Sequence, residues 1–147
     1  MTGPSRVVVL NVLAAVVALG ILAYLLVGRF DKPMCGISVV RRVPSPDGRL
    51  EAVVFERDCG ATTDFGTNLS VVKTGSTITN HVGNLLVADS DHGRAPLDSG
   101  NVIHLLVEWI GSDSLLVHYD RRSRLFQQTP GTLGVSVRYL ALDSRGA

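Results

Sequence analysis

Two hydrophobic rhythms run along the chain, and they change over near residue 30. Residues 7–27, VVVLNVLAAVVALGILAYLLV, are apolar on every side, with one amide, Asn11, and no charge. A helix rises about 1.5 Å per residue, so roughly 20 apolar residues cross the ~30 Å hydrocarbon core of a bilayer. A water-soluble helix needs a polar face, which this run lacks, and its length argues against a buried core helix. A cleaved signal peptide has a shorter apolar region, about 7–15 residues, ending in small residues. Here the run ends in Gly28-Arg29-Phe30-Asp31-Lys32-Pro33, which is bulky and charged. The residues "KPM" before Cys35 are not the small ones that precede a lipidated cysteine. The pattern predicts a tail over residues 1–6, a retained transmembrane helix over 7–27 and a juxtamembrane linker over 28–36.

From residue 37 the apolar positions fall in short runs punctuated by turn residues. Residues 37–43 are β-branched; Ser45-Pro46-Asp47-Gly48 follows, and residues 49–57 read as the returning strand. Proline presets φ, aspartate bonds its own backbone and glycine accepts positive φ, so this is a tight turn within a hairpin. Residues 68–73 set Leu69 and Val71 against Ser70 and Val72, and 84–88 form a short apolar run. Residues 101–110 are the longest candidate strand, with Ile103, Leu105, Val107 and Trp109 on one wholly apolar face. That face is expected to point into the core. Residues 115–119, 125–128 and 135–142 complete about eight strands at the spacing of a meander, sandwich or small barrel. The expected fold class is all-β: a transmembrane helix followed by a small antiparallel β-sandwich, barrel or meander over 37–142, with a tail over 143–147. Residues 74–100 carry the weakest pattern.

Charge narrows the partners. At 147 residues, with Arg6, Arg29, Lys32 and Asp31 set aside, the remainder holds 11 Lys+Arg and 12 Asp+Glu. Nucleic-acid binding needs a concentrated cationic surface. The nearest approach, Arg121-Arg122-Ser123-Arg124, reads as a solvated hairpin turn, so no nucleic-acid partner is expected. The expected contacts are the lipid bilayer, through residues 7–27, and another envelope protein.

The side of the membrane is contested by two signals. Positive residues flanking a first span tend to stay cytoplasmic. Arg29, Lys32, Arg41 and Arg42 outnumber Arg6 and the α-amine, which favours a domain inside the cell. The two cysteines, Cys35 and Cys59, lie in the polar part and lack metal or redox spacing. Either they are unrelated buried thiols or they close a loop. A disulfide persists only in an oxidising compartment and would stabilise the domain by roughly 3 kcal/mol. The weight falls on an extracytoplasmic domain of a single-pass cell-membrane protein.

Candidate chemistry is sparse. A nucleophilic Cys59 would need a base within hydrogen-bond reach, and His81, His92, His104 and His118 are all distant from it in sequence. Asp89, Asp91 and His92 crowd into "VADSDHGRAP", residues 87–96, a candidate binding loop. It lacks the ligand spacing of a calcium loop, and His92 would need partners from elsewhere to hold zinc, so the simpler reading is a polar loop that caps itself. His104 and His118 fall in adjacent predicted strands, within about two cross-strand positions, as a half-exposed polar face. Phosphate-loop, dinucleotide, nucleophile-elbow and zinc-protease motifs are missing. No catalytic residue, metal ligand or cofactor is therefore assigned. An enzyme or metal-binding protein using Cys59 or the Asp89/Asp91/His92 loop is the alternative to a non-enzymatic module.

The order "SPDGRLEAVVFERDCGATTDFGTNLSVV", then "GNLLVADSDHG" and "VEWIGSDSLLVHYD", resembles a family of small uncharacterised bacterial envelope proteins. Their members begin with a membrane anchor or lipoprotein signal and continue with an all-β domain. The resemblance spans most of residues 44–120, with Cys59-Gly60-Ala61-Thr62-Thr63 its most specific element. It implies membrane anchoring and an outside location, and it carries no activity.

Overall fold

A computed structural model describes residues 5–30, 35–60, 66–79 and 81–143. Residues 31–34 of the linker, residues 61–65 with Ala61, Thr62 and Thr63, residue 80, and residues 1–4 and 144–147 of the tails lie outside the described residues. The chain divides into two compact units, Met1–Pro33 and Met34–Ala147.

The first unit is one helix, α1 (Arg6–Phe30). Its stretch Val8–Leu25 has a mean hydropathy of 2.6, long and apolar enough to cross a membrane, a property that signal sequences share. Every residue from Val8 to Leu25 is exposed.

The second unit is a β domain. Its strands are β1 (Gly36–Pro44), β2 (Leu50–Asp58), β3 (Gly66–Lys73), β4 (Leu86–Asp89), β5 (Leu97–Asp98), β6 (Val102–Ile103), β7 (Leu105–Gly111), β8 (Ser114–Asp120), β9 (Arg124–Gln128), β10 (Gly131–Thr132) and β11 (Val135–Leu142). One antiparallel sheet has the order β1-β2-β3-β4-β9, a second has β10-β11-β8-β7, and β5 and β6 form a short ribbon. Between the sheets lies a single core: Ala52, Val54, Leu69, Val71, Leu86 and Ala88 from the first meet Leu105, Leu115, Val117 and Val135 from the second. Burial of alternate residues from both sheets makes this a β-sandwich.

The Ser45–Gly48 turn forms as its residues dictate. The Ser45 hydroxyl donates to Asp47 Oδ1 at 2.7 Å and accepts from Leu50 N at 3.0 Å, while Gly48 takes φ 70°. The bonds from Ser45 and then Arg49 hold the Asp47 carboxyl down at about 2.

Two features depart from the sequence expectation. The strand expected over 101–110 breaks at His104. Ile103 N donates to the buried Thr67 hydroxyl at 2.8 Å, and β6 pairs with β5 instead of continuing into β7. Among the otherwise antiparallel pairs, β11 runs parallel to β8. After β8 the chain crosses to the first sheet as β9 and returns through Thr129 and Pro130, so β11 re-enters the second sheet in the direction of β8.

Both open sides of the sandwich are laced by side chains. On one, Trp109 Nε1 donates to the Val43 carbonyl at 2.9 Å, and Arg41 donates to the Leu105 carbonyl. On the other, the Tyr139 hydroxyl donates to the Thr129 carbonyl at 2.8 Å, with the Leu85 carbonyl 3.1 Å away. Half-burial pushes the Tyr139 phenol up to about 12.

The second face of the first sheet is covered as well. Phe55 is 1 % exposed, and it shares a cavity of about 190 Å³ with Thr77, Ile78, His81 and Val82. The segment after β3 thus lies over Phe55. The Asn84 side-chain amide then pairs with Val71 like a strand residue, accepting from its N–H and donating to its carbonyl, both at 2.9 Å. Gly83 lies so close to β3 that a Cβ would meet the carbonyls of Leu69 and Leu86 at 2.7 Å.

Candidate functional site

Cys35 and Cys59 form a disulfide with a Cα–Cα distance of 4.0 Å. The first ladder pair of the β1–β2 hairpin is Gly36 with Asp58. The cysteines occupy the next position of that register, so the bond closes the open end of the hairpin. Of the two alternatives for these cysteines, paired or separate, the structure has them paired, and no thiol remains at Cys59 to act as a nucleophile.

The candidate loop resolves into internal pairs. Asp89, at the end of β4, is buried, and both its oxygens receive the Arg124 guanidinium from β9. Asp89 Oδ1 also accepts from Asp91 N at 2.9 Å, and Asp91 Oδ2 accepts from Arg94 at 2.9 Å. His92 is exposed with φ 58°, and it does not converge with the two carboxylates. Among the described residues no three His, Cys, Asp or Glu side chains gather as a metal site needs.

The arginine cluster is not simply a solvated turn. Arg122 grips Asp120, donating through Nε at 3.0 Å and Nη2 at 2.8 Å, and Arg121 pairs with Asp143 at 2.9 Å. Hydrogen bonds from Arg122 outweigh burial and lower the Asp120 carboxyl below its ordinary value. The same pairing raises the Arg122 guanidinium. Arg124 also stacks over the Phe126 ring, 5.0 Å from its centroid.

Among the described residues, His104 and His118 belong to no cluster of metal-ligating side chains. His104 Nδ1 meets Asp98 at 3.1 Å, and His118 pairs across the ladder with Leu106, two residues from His104.

The structure assembles a further site, and the sequence reading missed it. At the end of the sandwich away from Cys35–Cys59, a pocket of about 380 Å³ is lined by Arg49, Lys73, Thr74, Ser112, Asp113 and Leu133. Leu50 and Asp58 bound β2, so this end lies roughly 26 Å from the disulfide at ~3.3 Å per residue. Leu133 and Gly134 join β10 to β11 as a two-residue turn with φ 51° and 78°. Such a turn favours Asn-Gly, because a side chain at positive φ is strained. Leu133 holds that strained conformation with 57 % of its surface exposed at the pocket rim. The signal was present in "GTLGV", where an apolar residue stands before the turn glycine.

Comparison of the chain with family models, curated proteins and solved structures returned no match. Function is read from the geometry above.

Proposed function

We propose that the chain is a single-pass membrane protein whose β-sandwich stands outside the cytoplasm as a non-enzymatic interaction module of the cell envelope. Its working end is the pocket between Arg49, Lys73, Asp113 and Leu133, and its partner is another envelope protein. The observation that carries this reading is Leu133. A large apolar side chain held at positive φ and left in solvent costs stability twice, and such strain concentrates at ligand clamps. The mixed lining, with Arg49, Lys73 and Asp113 beside Leu50, Leu133 and Val135, suits a protein segment better than a small metabolite.

The extracytoplasmic assignment leans on Cys35–Cys59, because a cytosolic thiol pool would keep these cysteines reduced. The flanking charges favour the opposite orientation, and the disulfide is given the greater weight because its persistence depends on the compartment itself. The resemblance to anchored envelope proteins points the same way.

A photo-crosslinking residue placed at Leu133 of the full-length chain in its native membrane tests the pocket. A discrete adduct of reproducible mass is expected there. The same group at Phe126, exposed on β9, should give none. Equal labelling from both positions, or none from Leu133, contradicts the reading.

A further inference from the structure

The outward face of the second sheet is unlike an ordinary solvated surface. Along it, β7 contributes Leu106 and Glu108, β8 contributes Leu116 and His118, and β11 contributes Arg138 and Leu140. The ladder sets these in two rows across the strands: Leu106–His118–Leu140 and Glu108–Leu116–Arg138. Leu106 and Leu140 are 47 % and 43 % exposed. Glu108 and Arg138 are exposed too, and neither enters an ion pair among the described residues. Within one chain they sit two strands apart, about 10 Å, with Leu116 between them.

We propose that this face docks on the same face of a second copy of the chain. A two-fold axis lying along β8 carries β7 of one copy over β11 of the other. Glu108 then meets Arg138 of the second copy, and Arg138 meets its Glu108. The same operation sets Leu106 against Leu140 of the second copy in both directions and Leu116 against itself. One surface thus supplies both halves of its own charge and apolar complement, the requirement for an isologous interface. A two-fold also leaves the height of each atom along the axis unchanged, so both chains emerge at Cys35 on one level, as two anchors in one bilayer require.

The face is small. Three strands about 4.8 Å apart and seven residues at ~3.3 Å cover roughly 300 Å² in plan, against about 800 Å² per partner in a standard interface. Association is therefore weak in free solution and depends on confinement by the anchor, which raises the effective concentration. The dimer rests in that respect on the anchored reading above.

The test uses the full chain in lipid vesicles, labelled in two colours, with energy transfer read against dilution in lipid. Flotation with the vesicles reports the anchor separately, so the two readings fail independently. Glu108→Arg and Arg138→Glu should each weaken association about tenfold, and the double reversal should restore it to within about threefold. Both substitutions sit at exposed positions, so the thermal unfolding temperature is expected to hold. Single reversals that leave transfer unchanged overturn the proposal. So does a double reversal that associates no better than the singles.

Discussion

Asp89 and Arg124 face each other across the β4–β9 ladder, and the guanidinium of Arg124 holds both oxygens of a carboxylate that is only 5 % exposed. The pair ties the edge strand β9 to the first sheet. Truncating Arg124 to alanine leaves that carboxylate buried and uncompensated. Fully buried pairs cost about 3–5 kcal/mol when broken; with Arg124 partly in solvent, about 2 kcal/mol is expected, read by chemical denaturation. An unchanged midpoint would mean the pair contributes nothing.

The disulfide closes a hairpin end and should behave as a stability element. Cys35→Ser or Cys59→Ser is expected to lower stability by about 3 kcal/mol, and treatment of the wild-type protein with a reductant should reproduce that loss. Non-reducing electrophoresis checks the bond directly.

At Leu133 stability and function should move in opposite directions. Leu133→Asn places a residue that tolerates positive φ in the turn between β10 and β11 and removes an exposed apolar side chain. Stability is expected to rise by about 0.5–1 kcal/mol while partner contact at the pocket falls. A loss of stability would show that Leu133 packs in the free protein.

The pH profile follows from three shifted groups. Asp47 and Asp120 have depressed carboxyl values in the folded state, so the stability they contribute is present above the ordinary carboxylate range, near 4. It is lost as pH falls through their folded values, for Asp47 about 2. Tyr139 is raised to about 12, so its contribution is present below about 10 and lost as pH rises toward 12. Asp47→Asn should flatten the acid limb, and Tyr139→Phe should flatten the alkaline one while costing about 1 kcal/mol for the lost hydroxyl bond. Unfolding midpoints across pH 2–5 and 9–12 test both, since unchanged limbs would contradict the assignments.

What was legible in the sequence was local. The apolar run behind α1, the Ser45-Pro46-Asp47-Gly48 turn, and the core face of Leu105, Val107 and Trp109 each depend on residues a few positions apart. The break at His104 depends on the Thr67 hydroxyl, 36 residues from Ile103, and no period-two pattern reports it. The parallel pairing of β8 with β11 was hidden because turn residues announce hairpins, whereas this connection detours through the other sheet. The arginine run looked like solvated charge because Asp89, the partner of Arg124, lies 35 residues away. The pocket at Leu133 draws on four separate turns and strand ends, so only the folded chain assembles it. The cysteines were the intermediate case: their spacing allowed a bond without requiring it.

The claim on which the rest hangs is that the β domain stands outside the cytoplasm with Cys35 bonded to Cys59, and spheroplasts with sealed membranes test it most directly. A membrane-impermeant maleimide should label neither cysteine before reduction and both after a membrane-impermeant reductant is added, with no further gain on lysis. Labelling that needs no reductant would contradict the bond. Labelling that appears only after lysis would contradict the topology.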